Sequence, residues 1–142
     1  MAYILVAAKA QAVSEGGGRH WTIGDTNGTL DTVTSGDLVI FGELIGVALT
    51  DYDTLTDTVV IDILGAHELP VSAVANGGAD TAIGVGSWLY YDGTEGEIRV
   101  WTHLAALDAN DYMVGRAMES LGSGVDDTVI DVLLVPTPTI RF

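Results

Sequence analysis

The chain has 142 residues, 48% of them hydrophobic, which fits one domain rather than two and excludes a disordered tail. Lys+Arg number 5 against 20 Asp+Glu, a formal net charge of -15; counterion release needs clustered cations, so the charge argues strongly against nucleic-acid and anionic-membrane binding. With no cysteine, disulfides, thiolate metal sites and cysteine nucleophiles are excluded too, and no apolar run approaches the roughly 20 residues of a membrane span.

The chain opens on an apolar run without a basic flank, Met1–Lys9, which reads as a strand or arm (Tyr3–Ala8) rather than a targeting segment. Ser14–Gly18 is flexible by composition and separates that arm from the body. Short runs rich in Val, Ile, Leu, Tyr and Trp follow, divided by Gly, Asp and Thr. They predict strands over His20–Ile23, Asp37–Phe41, Ile45–Leu49, Thr58–Leu64 and Glu68–Val71. In Thr58–Ile63 the apolar residues 59, 61 and 63 share one face, the period of a half-buried strand. Ala75–Asp80 reads as the link between two halves. Beyond it, strands are predicted over Trp88–Tyr91, Glu97–Trp101, Met113–Met118 and Thr128–Val135. Thr102–Asn110 is a helical turn or a loop. The tail Pro136–Phe142 is too proline-rich for a central strand and reads as extended.

An internal echo supports two related halves. At a shift of 69 residues, Ile45–Leu64 lies on Val114–Leu133 without a gap and 7 of 20 positions are identical, Gly46/Gly115, Ala48/Ala117 and Asp62/Asp131 among them. We read this as one strand–loop–strand hairpin used twice. A glycine inside each first strand marks a bulge or a close backbone approach. The fold class is all-β: a small Greek-key or tulip-like β-barrel or sandwich with a duplicated hairpin and an extended N-terminal arm. Residues 1–18 form the arm, 19–135 the barrel domain and 136–142 the extended tail.

Motifs that carry chemistry are weak throughout. His20, His67 and His103 lack the spacing of a helical zinc site. Gly16–Gly18 precedes Arg19-His20, and the only lysine, Lys9, lies before it, so no phosphate-binding loop can be built. Gly84-Val-Gly86 begins like a dinucleotide fingerprint, but the third glycine position holds Leu89. Asp51, Asp53 and Asp57 alternate as calcium ligands do, yet Leu55 occupies a ligating position; a solvated acidic turn is the better reading. Asp126-Asp127 is similar with fewer oxygens. Trp88, Tyr90, Tyr91 and Trp101 offer an exposed stripe for a sugar or a protein, or core; core is favoured, because Tyr91 lies on the face opposite Trp88 and Tyr90. No catalytic residue, cofactor or metal is assigned.

The ordered set Ser35–Ile40, Ile45–Asp51, Glu68–Val71, Gly86–Asp92 and Val114–Glu119 resembles the phage capsid cement, or head decoration, proteins, small β-rich proteins encoded beside the major capsid protein and sometimes labelled recombinase-like. The resemblance runs from about Trp21 to Val135. It implies a structural virion protein on the outer capsid surface, made in the host cytoplasm, with the major capsid protein and itself as partners. A homotrimer is expected, a dimer being the alternative. It implies no enzyme, and the recombinase label finds no ATP-binding loop here. Rival readings are a sugar-binding or tail-associated module on the Trp/Tyr strands and, less favoured, a trimeric all-β nucleotide hydrolase, whose Gly-Tyr-Asp and Asp-Tyr-Arg-Gly patterns are absent.

Charge singles out the arm. Residues 1–20 hold Lys9 and Arg19 against Glu15 alone, a net of +1, while the rest of the chain carries 3 Arg and 19 acids, a net of -16. Tyr3, Ile4, Leu5, Val6, Lys9 and Arg19 are therefore the expected capsid- or partner-binding residues. The alternative makes Tyr3–Val6 the first strand of the chain's own barrel.

Overall fold

A computed structural model of the chain describes residues 3–6, 11–15, 20–24, 30–41, 44–74, 80–93, 95–100 and 111–134, with backbone alone for 3–6, 11–15 and 41. Among them no residue is helical, and eleven strands alternate with turns. In chain order these are β1 (Tyr3–Val6), β2 (Gln11–Glu15), β3 (His20–Gly24), β4 (Leu38–Phe41), β5 (Leu44–Ala48), β6 (Thr58–Asp62), β7 (Ala66–Ser72), β8 (Trp88–Asp92), β9 (Glu97–Val100), β10 (Asp111–Ala117) and β11 (Thr128–Leu134). The all-β class expected from the sequence is thus the class observed. The predicted turn at 102–110, Trp101 and the tail 136–142 lie outside the described residues.

Two compact units divide the chain, Met1–Gly65 and Ala66–Phe142. The division falls ten residues before the linker expected at 75–80, of which 75–79 lie outside the described residues. The reason is pairing: β7 lies antiparallel to β11, from Thr128↔Val71 to Leu133↔Ala66, and so belongs with the second half.

The first unit is a six-stranded sheet in the order β1-β4-β5-β6-β3-β2. Its centre is a Greek key: β4, β5 and β6 follow one another antiparallel, and the earlier strand β3 returns beside β6. Ile23, Leu30, Val33, Val39, Val59 and Ile61 form its core, with Trp21, Leu44 and Tyr52 packed against them. Each fully buried Val, Leu or Ile contributes roughly 1.5–3 kcal/mol by leaving water. β6 follows the predicted alternation, with Val59 and Ile61 buried and Thr58 and Val60 half-buried.

The second unit is a closed barrel in the order β10-β11-β7-β9-β8. The same Greek key recurs, with β8, β10 and β11 antiparallel in sequence and β7 returning beside β11. The expected duplication is visible in the main chain. Gly36 and Gly86 donate from their N–H groups to the carbonyls of Ala48 and Ala117, and the N–H groups of Ala48 and Ala117 donate to the carbonyls of Asp37 and Ser87. Both glycines have positive φ, 94° and 86°, which side chains rarely adopt. The hairpins differ in register: Ala48 faces Ile61, whereas Ala117 faces Val132, two residues beyond the position that the 69-residue shift assigns. A slip of two keeps every side chain on its own face.

Candidate functional site

The turns before the two Greek keys are fastened alike. The Asp37 carboxylate accepts from the Thr34 N–H at 3.0 Å, and the Ser87 hydroxyl accepts from the Gly84 N–H at 3.1 Å. These short polar side chains satisfy turn N–H groups and so set where β4 and β8 begin.

The acidic loop is a set of such turns. Asp51 accepts from the Ser35 N–H at 2.8 Å, Asp53 from the Leu55 N–H at 2.8 Å and Asp57 from the Tyr52 hydroxyl at 2.6 Å. Asp57 has a φ of 54°, a left-handed conformation that Asp tolerates better than most residues. Each carboxylate thus serves a different local donor. Asp126 accepts from the Ser72 hydroxyl, whose oxygen accepts from the Asp127 N–H at 3.1 Å. Among the described residues no group of three or more His, Asp or Glu is placed to hold a metal.

A charged cluster lies inside the second unit. Asp92, Arg99 and Asp111 are at most 5% exposed, and Asp92 and Asp111 are cross-strand partners on β8 and β10. Arg99 donates to Glu97 at 2.7 Å and to the Val74 carbonyl, and its Nε stands 3.8 Å from Asp92. Tyr90 is fully buried and its hydroxyl finds no hydrogen-bond partner among the described residues. Burial, with the nearby Asp92 carboxylate second, pushes the Tyr90 phenol well above its ordinary range. Burial and then Asp92 raise Tyr91 as well. The cluster is a buried ion-pair network within the second unit.

The aromatic strand splits. Leu89 and Tyr90 are both fully buried, Tyr91 is half-buried, and Trp88 is 38% exposed. Alternation places Trp88 and Tyr90 on one face, yet Trp88 is exposed while Tyr90, paired with buried Arg99, is covered; opposite them β10 carries a register shift between Met113 and Gly115. Trp88 points outward and begins a row across four strands: Trp88 on β8 faces Arg116 on β10, Arg116 faces Leu133 on β11, and Leu133 faces Ala66 on β7. All four are exposed. The Arg116 guanidinium lies over the Trp88 ring, 4.1 Å from its centroid, a cation–π contact that holds the charge outward on an apolar base. Along β11 the next outward position after Leu133 is Asp131, which faces exposed Glu68, and only then Val129, 57% exposed. Arg116 is the exposed one of the two described arginines. Sequence reading missed it; the signal available was Arg116 beside Gly115, an outward position on an otherwise buried strand.

Of the partner-binding residues expected from the sequence, Tyr3, Ile4, Leu5 and Val6 form β1, whose backbone pairs parallel with β4 from Tyr3↔Leu38 to Val6↔Phe41. The backbone of the segment thus lies beside β4 in the first unit's sheet. Lys9 and Arg19 lie outside the described residues.

The family model described as phage cement protein matches residues 18–134, well over half of the chain. No curated protein and no solved structure matches it.

Proposed function

The chain belongs to the phage cement protein family, and on that premise we propose how it holds the shell. Its role is structural: it binds a phage capsid and is a component of the virion. In our reading it sits on the outer surface and bridges neighbouring major capsid subunits, so that separating them also breaks its own contacts. It is made in the host cytoplasm, and the structural family supports a protein that is not an enzyme.

The observation that carries the proposed contact is the Trp88–Arg116–Leu133 row. A surface that is apolar at Trp88 and Leu133 and cationic at Arg116, on a chain of net charge -15, fits an acidic partner with an apolar contact. Tyr3, Ile4, Leu5, Val6, Lys9 and Arg19 form the second contact, with the capsid or a neighbouring subunit. On the shell the assembly is a homotrimer, with a dimer as the alternative, because such proteins sit on local symmetry axes where a lone subunit would meet inequivalent neighbours.

Co-sedimentation with undecorated, expanded heads tests this. The wild-type chain pellets with the heads, and Arg116→Glu, its fold checked by tryptophan fluorescence, binds about tenfold more weakly. A wild-type chain left in the supernatant overturns the reading. An Arg116→Glu chain that binds like wild type overturns the assignment of this face. Deleting residues 1–15 separates the roles of the N-terminal segment: lost binding with an intact fold supports the contact, and unchanged binding defeats it.

A further inference from the structure

The outward face of the barrel carries opposite charges in an order that strand register fixes. Arg116 on β10 faces Leu133 on β11. One outward step along the same two strands, Met118 stands opposite Asp131, its N–H donating to the Asp131 carbonyl at 2.8 Å. Arg116, Met118 and Leu133 are exposed and Asp131 is half-buried, whereas the alternate residues Ala117 and Val132 are buried. These four outward residues form a quadrilateral, about 4.8 Å across the strands and about 7 Å along them. Leu133 and Met118, both apolar, hold one diagonal; Arg116 and Asp131, of opposite charge, hold the other.

The charges on this face are not paired within the chain. Asp131 faces exposed Glu68 on β7, two carboxylates directly opposite each other, which destabilises a sheet. Glu119 adds a third carboxylate, its Oε1 accepting from the Asp131 N–H at 3.0 Å. Arg116 is a diagonal neighbour of Asp131, a separation that a long side chain can span. Its guanidinium lies instead over Trp88, on the other side of β10 from the acids. Both ion pairs among the described residues belong to Arg99.

Such a face is its own complement. A two-fold axis along the Leu133–Met118 diagonal exchanges the charged corners. Arg116 of each copy then comes over Asp131 and Glu68 of the other, and Leu133 and Met118 meet their own counterparts. We propose that this face pairs with the same face of a second copy of this chain. The proposal rests on the reading of this face as a contact surface, made above, and names the partner that the Arg116 row calls for. Charge decides the occupant. A second copy sets cation against carboxylate twice, whereas a uniformly acidic partner would also oppose Glu68, Asp131 and Glu119 with like charge. The patch covers roughly 200–300 Å² on each copy, well below the ~800 Å² per partner of a standard stable complex. The pair is therefore weak in dilute solution and forms where copies are crowded together.

Trapping in the free chain, without heads, tests it, so its failure leaves capsid binding to be judged by co-sedimentation alone. The native chain has no cysteine. A residue on a two-fold axis meets its own counterpart, so two Met118→Cys chains can close a disulfide across the contact. Concentrated full-length chain is oxidised mildly at about 0.15 M salt, where charges more than about 8 Å apart are largely screened. Met118→Cys is expected to give about tenfold more disulfide dimer than Thr54→Cys, an exposed position in the first unit. In the Met118→Cys background, Arg116→Glu sets like charges together at both ends of the contact. So does Glu68→Lys with Asp131→Lys, and each of the two chains alone should fall to the Thr54→Cys level. Mixed in equal amounts, they match opposite charges at both ends, and the dimer should return to within about threefold of the parent. Circular dichroism checks each fold. A Met118→Cys yield no greater than that of Thr54→Cys overturns the proposal. So does a mixture that traps no better than its two components.

Discussion

Gly46 and Gly115 occupy matching positions in the two hairpins, and the structure separates their tolerance to a methyl group. A Cβ at Gly115 would lie 1.9 Å from the Leu133 carbonyl oxygen and 2.8 Å from its carbon, both main chain. A Cβ at Gly46 would lie 2.8 Å from Ile61 Cδ1, the movable end of a side chain, and 3.0 Å from the Asp62 carbonyl oxygen. Gly115→Ala can be accommodated only by moving β10 away from β11, at the upper end of overpacking costs, about 3 kcal/mol. Gly46→Ala asks Ile61 to change rotamer. It also regains part of the roughly 0.5–1 kcal/mol that glycine loses inside a strand, for a net loss of about 1 kcal/mol. Urea unfolding followed by tryptophan fluorescence reads the difference. With a slope of about 1.5 kcal/mol per molar, Gly115→Ala lowers the midpoint by about 2 M and Gly46→Ala by less than about 1 M. Equal shifts, or a larger one for Gly46→Ala, refute the argument that the carbonyl of Leu133 makes glycine necessary.

Arg99→Met leaves the buried Asp92 without its cation and is expected to cost about 3–5 kcal/mol, much of it recovered by adding Asp92→Asn; chemical denaturation of both variants checks this. Tyr90→Phe removes a buried hydroxyl that has no partner among the described residues, and stability should hold or rise by up to about 1 kcal/mol. The native state keeps the Tyr90 and Tyr91 protons at a pH where the unfolded chain, with ordinary tyrosine values near 10, gives them up. Stability should therefore be intact below about pH 10 and fall as pH rises beyond it, less steeply in Tyr90→Phe. Asp37→Ala removes the acceptor for the Thr34 N–H and hydroxyl and is expected to cost about 1–2 kcal/mol by thermal melting, against less than about 1 kcal/mol for Ser87→Ala at the matching turn.

Alternation made most strands legible, because one buried face writes a period of two into Thr58–Asp62 and Thr128–Leu134. It failed at β2, where Gln11–Glu15 is too polar and too close to three glycines to read as a strand. It failed again at Leu89-Tyr90, where both residues are buried beside the register shift at Met113 and Gly115. The site followed the same rule. Trp88 was legible as a candidate, but its partner Arg116 is adjacent only through strand pairing across residues 92–111, which no local pattern records. The β1 residues were legible as apolar and extended. Where their edge would pair was not, because a parallel partner 35 residues away leaves no turn signature.

The deeper repeat was hidden for a physical reason. At a shift of 50 residues, Val33–Phe41 matches Ile83–Tyr91 in hydrogen bonding, yet the two share a single identity, Gly36/Gly86. The turn is built from main-chain bonds, so it demands only the residue whose positive φ excludes a side chain, and the other positions were left to vary. The shift then changes from 50 to 69 because β9 and residues 101–110 intervene between β8 and β10. That insertion supplies the second unit with a closing strand of its own, fixed in place by ladders on both sides. The first unit has no strand between β4 and β5, and its N-terminal segment instead pairs antiparallel with β3 through β2 and parallel with β4 through β1. The closed barrel of the second unit has no edge strand, whereas the six-stranded sheet of the first ends at β1 and β2.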